Sequence, residues 1–157
     1  MKGIVVYDSN FGNTEKIALA LTRGMERKEN WIDCLNIEEV DVEKLAEYDF
    51  IAAGGPTHIL RTSKAMKEFL EKLRNVDLKG LKGFSFDTRN ESCMNRRSLL
   101  VLENSAARVI EGVLKKRKVD IVKTRCSALV EGREGPLFDG MEERFRQIGS
   151  DIAELIQ

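Results

Sequence analysis

The chain has 157 residues, 42% of them apolar and 33% charged, and its 26 basic side chains balance its 26 acidic ones. This composition is typical of a globular protein with one core, so we expect a single domain over residues 1–157. The zero net charge gives no overall field that would attract nucleic acid, and no apolar run approaches the roughly 20 residues that cross a membrane. The first residues enter a strand without a charged and apolar leader, which predicts a cytoplasmic protein.

The N-terminal segment combines a strand, a polar loop and an amphipathic helix. Ile4-Val5-Val6 is an apolar, mostly β-branched run, which favours a strand covered on both faces. Turn-forming residues at positions 8–13 end it, and from Thr14 the apolar residues recur at helical spacing, as at Ile17 and Leu21. A loop between a strand end and a helix start presents free backbone N–H groups and the positive end of the helix dipole. The segment therefore predicts an anion site.

The side chains of this loop indicate which anion it would hold. Ser9, Asn10, Asn13 and Thr14 add hydroxyl and amide donors, and Gly12 permits a close approach of the backbone. The loop has no lysine and neither the P-loop nor the GxGxxG spacing, which argues against a nucleoside triphosphate or a dinucleotide. These donors favour a single terminal phosphate. The alternative is an ordinary polar loop in which Asn13 or Thr14 caps the helix.

The rest of the chain alternates strand and helix patterns. Further strands are predicted at Trp31–Ile37, Phe50–Gly54, Leu81–Phe86 and Val119–Cys126, a helical turn within Glu38–Tyr48, and helices after Ser63, over Ser105–Lys116 and from Met141. Such alternation predicts an α/β fold with a parallel, doubly wound sheet. Polar breaks follow the first, third and fourth strands, all at carboxyl ends, where the ligand crevice of such a sheet lies.

Two other classes of this architecture lack their required residues. A response-regulator receiver needs an aspartate at the end of the third strand, which here reads Ala53-Gly54-Gly55, and no cysteine starts the Cys-x5-Arg signature of a small tyrosine phosphatase. Cys34, Cys93 and Cys126 are an odd number without close spacing, so they indicate neither disulfides nor a metal site and are interpreted as neutral thiols.

Two loops resemble those of the flavodoxin family. Positions 9–14 (SNFGNT) are similar to its first loop, Thr/Ser-x-Thr/Ser-Gly-x-Thr, which holds the phosphate of FMN, but Phe11 stands where a hydroxyl is usual. Positions 54–61 (GGPTHILR) resemble the loop Gly-Ser/Ala-Pro-Thr-Tyr/Trp that covers one face of the flavin, with His58 in place of the aromatic.

The resemblance implies a five-stranded parallel sheet of order 2-1-3-4-5 with FMN as cofactor. It implies cofactor contacts at Ser9, Asn10, Phe11, Gly12, Asn13, Thr14, Pro56, Thr57, His58, Ile59, Asp87, Thr88 and Arg89. The family's second aromatic ring, which follows the fourth strand, is missing from Asn90–Arg97.

Three functions are compatible with these features. The first is an FMN protein that passes electrons between redox partner proteins and has no catalytic residues of its own, because the flavin carries the chemistry. The second is an FMN-dependent NAD(P)H or quinone reductase, favoured by arginines near the crevice that could bind a nicotinamide cofactor: Arg61, Arg89, Arg96 and Arg97. The third is a flavin-free interaction module, favoured by Phe11 and the missing ring. Nucleic acid is not expected as a partner, since the one basic run, Lys115–Lys118, closes a predicted helix.

Overall fold

A computed structural model of the chain describes residues 1–58, 61–90 and 105–157. The strands in these ranges are β1 Lys2–Tyr7, β2 Trp31–Asn36, β3 Phe50–His58, β4 Arg61–Thr62, β5 Lys82–Asn90, β6 Asp120–Ile121 and β7 Cys126–Val130. The α-helices are α1 Asn13–Met25, α2 Lys64–Lys72, α3 Ala106–Lys116 and α4 Met141–Leu155, and short 3-10 helices cover Ile37–Glu39, Val42–Glu47 and Leu73–Asn75. None of the helices in the described ranges has both the length and the apolar character needed to cross a membrane.

The sheet has the predicted order. β2, β1, β3 and β5 are parallel neighbours in that sequence, and β6 and β7 both pair in parallel with the far edge of β5. β6 pairs with the start of β5 and β7 with its end, so two short strands share the fifth position. This confirms the doubly wound fold and the order 2-1-3-4-5. β4 is an addition, pairing antiparallel with the end of β3.

Two apolar layers cover the sheet because alternate side chains of each strand face opposite sides. Ile4 and Val6 of β1 pack with α2 and α3 on one face. Val5 packs on the other face with α1, α4 and the phenylalanines of β5, Phe84 and Phe86. Both helix layers leave the carboxyl edge of the sheet open.

The third and fourth strands are longer than predicted. β3 continues past Gly54 to His58 and β5 continues past Phe86 to Asn90, with the pairs Gly55↔Asp87 and Pro56↔Thr88 extending the ladder. Residues with turn propensity are held in a strand here because each has a neighbouring strand to bond. Pro56 is tolerated because it lies beyond the last pair between β1 and β3, where one side of β3 has become an edge.

The fifth predicted strand, Val119–Cys126, has the wrong bounds, since the chain leaves the sheet after Ile121 and returns only at Cys126. The second strand ends at Asn36, one residue before its predicted end. In place of the single helical turn predicted within Glu38–Tyr48, the chain forms two 3-10 helices, Ile37–Glu39 and Val42–Glu47. The helices lie where they were predicted, and Ser63 and Ser105 cap α2 and α3 by accepting the N–H groups of Met66 and Arg108 at 3.1 and 3.3 Å.

Candidate functional site

A cavity of about 450 Å³ opens at the carboxyl edge of the sheet, between the ends of β1, β3, β5 and β7. Its volume lies within the range of about 300–1,000 Å³ that is usual for small-molecule sites. Ten predicted contacts line it: Ser9, Asn10, Phe11, Asn13, Thr14, Pro56, Thr57, His58, Thr88 and Arg89. Of the other three, Gly12 and Asp87 are not part of the lining and Ile59 falls outside the described residues.

The first loop, residues 8–12, delivers the open N-terminus of α1 to the cavity. Gly12 is the N-cap residue, with a φ of +88°. Because glycine has no side chain, the first N–H groups of α1 have no capping side chain as acceptor. Ser9 Oγ accepts the Gly12 N–H at 3.0 Å, which fixes the turn. Unpaired N–H groups and the positive helix end together bind anions well. The alternative in which Asn13 or Thr14 is the cap is wrong, because both lie within α1.

A pair of buried hydroxyls joins α1 to β5 beside this helix end. Thr14 Oγ1 lies 2.8 Å from Thr88 Oγ1, and the two residues are 2% and 5% exposed. One hydroxyl donates to the other, so one proton of the pair remains available to a ligand. The pair places a neutral donor at the mouth of α1, as the loop sequence predicts.

The loop after β7 forms a part of the wall that the sequence did not reveal. Asn13 Nδ2 donates to the Glu134 carbonyl at 3.0 Å and holds this loop against α1. Gly135 next to it has a φ of +102°, and a Cβ there would lie 2.8 Å from the Asn13 amide. Val130, Gly132 and Arg133 consequently reach the cavity, as does Asn90 at the end of β5. Residues 132–140 include three glycines and a proline, a composition that indicates a turn but not its contact with α1.

A second chain of polar contacts lies on the α3 side of β5, behind the cavity wall. Thr57 Oγ1 donates to Asp87 Oδ2 at 2.6 Å and accepts the Ala106 N–H at 2.8 Å. Asp87 is fully buried and Arg89 is 3% exposed, with Arg89 Nε 4.0 Å from Asp87 Oδ2. The hydroxyl proton of Thr57 is therefore committed to Asp87 and not directed into the cavity.

Burial raises the pKa of the Asp87 carboxyl above its ordinary value. Hydrogen bonds from Ser127 and Thr57, the charge of Arg89 and the Ala107 amide act in the opposite direction but do not offset the loss of hydration. The site thus contains a carboxyl that resists ionisation beside an arginine that is always charged.

One of the four arginines that the sequence indicated, Arg89, contributes to the wall, together with an arginine that it did not indicate, Arg133. Arg89 and Arg133 line the cavity, whereas Arg61 is an exposed residue of β4 outside its wall and Arg96 and Arg97 lie outside the described ranges. His58 borders the cavity and pairs with Arg61 in the β3–β4 ladder. Phe11 lies at the rim and is 46% exposed.

The two described cysteines take no part in the cavity wall. Burial raises the pKa of the thiols of Cys34 and Cys126, which favours the neutral thiol. Cys93 falls outside the described residues.

Comparison with known proteins agrees with this architecture. The model of the flavodoxin domain family matches residues 4–146 of the chain. A flavodoxin of Clostridium saccharobutylicum is 32% identical over 91 residues, which is 57% of this chain and 57% of that protein. The matches with curated flavodoxins span only 57–58% of those proteins' own length.

Solved structures resemble the chain over nearly its whole length. The structure of a flavodoxin from the domain Archaea has a TM-score of 0.78 at 23% identity and covers 99% of both chains. Oxidised flavodoxin 1 from Bacillus cereus has a TM-score of 0.81 at 20% identity and covers 98% of both. At these identities the likeness shows the fold alone.

Proposed function

Because this chain belongs to the flavodoxin family, we propose that it binds FMN in the cavity at the carboxyl edge and passes electrons between redox partner proteins. The proposed setting is the cytoplasm. Bound FMN would supply the electron-carrying chemistry, and the protein residues would bind it, orient it and exclude water.

The residues of the cavity fit a mononucleotide with one terminal phosphate. Ser9, Asn10, Asn13 and Thr14 and the first N–H groups of α1 form a neutral donor set, which would hold the phosphate. The strand ends would hold the flavin, with residues 56–58 on one side and residues 88–90 on the other. One observation carries the proposal: the uncapped N-terminus of α1 opens, through Gly12 at positive φ, into a cavity of ligand size.

The proposal is tested by titrating the purified 157-residue chain with FMN and following flavin absorption and fluorescence. We expect a yellow complex with perturbed absorption bands, which transfers electrons to a one-electron acceptor after reduction by dithionite. Absorption and fluorescence that remain those of free FMN at a saturating concentration would contradict the proposal and favour the flavin-free module. Steady-state turnover with NAD(P)H would contradict the carrier role and favour the reductase.

Two glycines provide a matched pair of variants for the role of the first loop. Gly12 and Gly80 have φ values of +88° and +95°, and a Cβ at either position meets nothing within 4 Å. Alanine at either site therefore costs about 1–2 kcal/mol of backbone strain, and little else. We expect Gly12→Ala to weaken FMN binding about tenfold and Gly80→Ala, which is remote from the cavity, to leave it unchanged. Equal affinities in the two variants would show that the first loop does not bind the phosphate.

A further inference from the structure

A buried carboxylate that is not part of the cavity lining links two of the segments that form the site. Asp8 follows β1 as the first residue of the first loop and is 7% exposed. Its backbone N–H donates to the Gly54 carbonyl of β3 at 3.0 Å. Its Oδ2 accepts a hydrogen bond from Ser63 Oγ at 2.5 Å. Asp8 is therefore held through its backbone by β3 and through its side chain by the start of α2.

The hydroxyl of Ser63 serves two partners at once. It donates to Asp8 and, as the N-cap of α2, accepts the Met66 N–H at 3.1 Å. The first turn of α2 contains no acidic residue, so the carboxylate at this positive helix end comes from Asp8, 55 residues away in the sequence. Hydrogen bonds to a carboxylate are stronger than those between neutral groups. The Asp8–Ser63 bond is therefore a specific contact between the end of β1 and the start of α2.

This bond connects the two halves of the proposed site. The phosphate half is the first loop with the N-terminus of α1, and Asp8 is the residue with which that loop begins. The flavin half includes Thr57 and His58, which line the cavity and pair with the two residues of β4. Ser63 directly follows β4 in the chain. A single hydrogen bond thus joins the phosphate half to the segment that follows the flavin half.

We infer that Asp8 and Ser63 are positioning residues that couple the two halves: their bond orders the first loop before a ligand arrives, so that Ser63, which lies outside that loop, strengthens the binding of the phosphate. Neither side chain has to touch FMN for this effect. A loop that is already ordered loses less conformational freedom on binding than one that is not, which raises its affinity. The inference rests on the proposed function, because that function assigns the phosphate and flavin halves.

The quantity to measure is the ratio of the dissociation constants of riboflavin and FMN for the 157-residue chain. Riboflavin lacks only the phosphate, so this ratio gives the contribution of the phosphate to binding. A variant that disturbs only the flavin half weakens both ligands together and leaves the ratio unchanged. Fluorescence titrations give the two constants, and competition of inorganic phosphate against FMN measures the phosphate half independently.

Ser63→Gly removes the hydroxyl but keeps a residue that is favourable at an N-cap, so α2 loses little stability. We expect it to lower the ratio about fivefold, the effect of one lost hydrogen bond, and to weaken inorganic phosphate by a similar factor. Ser63→Ala, a second variant without the hydroxyl, is expected to give the same ratio. Ser63→Thr keeps the hydroxyl and is expected to keep the ratio within about twofold of the wild-type value.

Ser105→Gly is the matched control. Ser105 is the buried N-cap serine of α3 and accepts the Arg108 N–H at 3.3 Å, just as Ser63 accepts an N–H group of α2. The next residue, Ala106, bonds Thr57 of the flavin half, so this variant is expected to affect riboflavin and FMN together. We expect the ratio to change by less than about twofold. An equal fall of the ratio in Ser63→Gly and Ser105→Gly would overturn the inference.

Asp8→Ala completes a double-mutant cycle with Ser63→Gly. The carboxylate of Asp8 also acts directly on a nearby anion, but this effect is the same with either residue at position 63 and cancels in the cycle. Because Ser63 acts through Asp8, Ser63→Gly is expected to change the ratio by less than about twofold in the Asp8→Ala background. A full fall there, or no fall in the wild-type background, would overturn the inference while leaving FMN binding established. Absence of FMN binding in the wild-type chain would instead overturn the proposed function.

Discussion

At the scale of single residues, the site depends on where consecutive side chains of one strand point. Thr88 bonds Thr14 at 2.8 Å on the side of α1, while its neighbour Asp87 accepts a bond from Thr57 on the side of α3. Successive side chains of a strand point to opposite faces, so these adjacent residues belong to two separate hydrogen-bonded chains. The first chain borders the open N-terminus of α1, and the second fixes the buried carboxyl of Asp87 behind the wall.

We predict that Thr14→Val weakens FMN binding about fivefold and leaves riboflavin binding unchanged. The variant removes a hydroxyl at the helix mouth, where a lost hydrogen bond costs about 1 kcal/mol, and only FMN carries a phosphate there. Fluorescence titrations with the two flavins measure the effect.

Thr22→Val is the control for this prediction. Thr22 is another buried threonine of α1, but its hydroxyl bonds the Ala18 carbonyl at 2.8 Å, away from the cavity. It should alter stability without altering the preference for FMN over riboflavin. A similar loss of FMN preference in both variants would show that Thr14 does not act on the phosphate.

At the scale of elements, α1 and α4 cross at two glycines, and this contact sets the position of the helix whose N-terminus opens into the cavity. A Cβ at Gly24 would overlap the carbonyl oxygen of Arg146 and lie 3.0 Å from the Cα of Gly149. A Cβ at Gly149 would overlap the Leu21 carbonyl. Glycine is a poor helix former, so its presence at both positions reflects the close approach of the two backbones.

We predict that Gly24→Ala or Gly149→Ala lowers the free energy of unfolding by about 2–3 kcal/mol or more, because the helices must separate to admit the methyl group. Gly112→Ala in α3 is the matched control, since a Cβ there meets nothing within 4 Å. It should raise stability by about 0.8–1 kcal/mol through helix propensity alone. Urea unfolding of the three variants measures these values, and a gain in stability for Gly24→Ala would contradict the described crossing.

At the scale of the whole molecule, basic and acidic side chains balance, so we expect the pH dependence of the free energy of unfolding to follow the few groups whose pKa is shifted by folding. Burial raises the pKa of Asp87, so the folded state binds a proton more readily than the unfolded state, and this contribution to stability is lost as the pH rises through the folded pKa. Glu111 has the opposite sign: burial would raise its pKa, but Lys115 at 2.9 Å and Arg125 at 3.2 Å lower it overall. Its contribution is present above the ordinary carboxyl pKa and is lost in acid.

We predict that the stability of Asp87→Asn relative to wild type increases as the pH rises above about 4, the ordinary carboxyl value. Asparagine removes the cost of ionising a buried carboxyl, and this cost grows with pH until the folded pKa is passed. Glu111→Gln should lose stability relative to wild type over the range in which Glu111 ionises. Denaturant unfolding as a function of pH measures both differences, and a fall for Asp87→Asn over this range would contradict the raised pKa.

Much of the site follows from local sequence. The run Ile4–Val6, the turn residues at 8–12 and the helical spacing from Thr14 are short-range features, and they determine a strand, a loop and a helix in that order. The alternation of strands and helices fixes the parallel sheet and brings the ends of β1 and β3 together. Ten of the predicted contacts line one cavity for this reason.

Other features were decided only by the tertiary structure. The lengths of β3 and β5 depend on their mutual pairing, the position of Arg133 depends on the bond from Asn13 to the distant Glu134 carbonyl, and the burial of Asp87 depends on α3 packing over it. Each involves residues far apart in the chain, and a local pattern contains no information about which distant group will satisfy a given donor or remove water from a given charge. The sequence by itself therefore determined the strand, loop and helix at the carboxyl edge and the ligand that we propose for it, whereas the packing of distant elements decided the shape of the cavity and the burial of the carboxyl behind its wall.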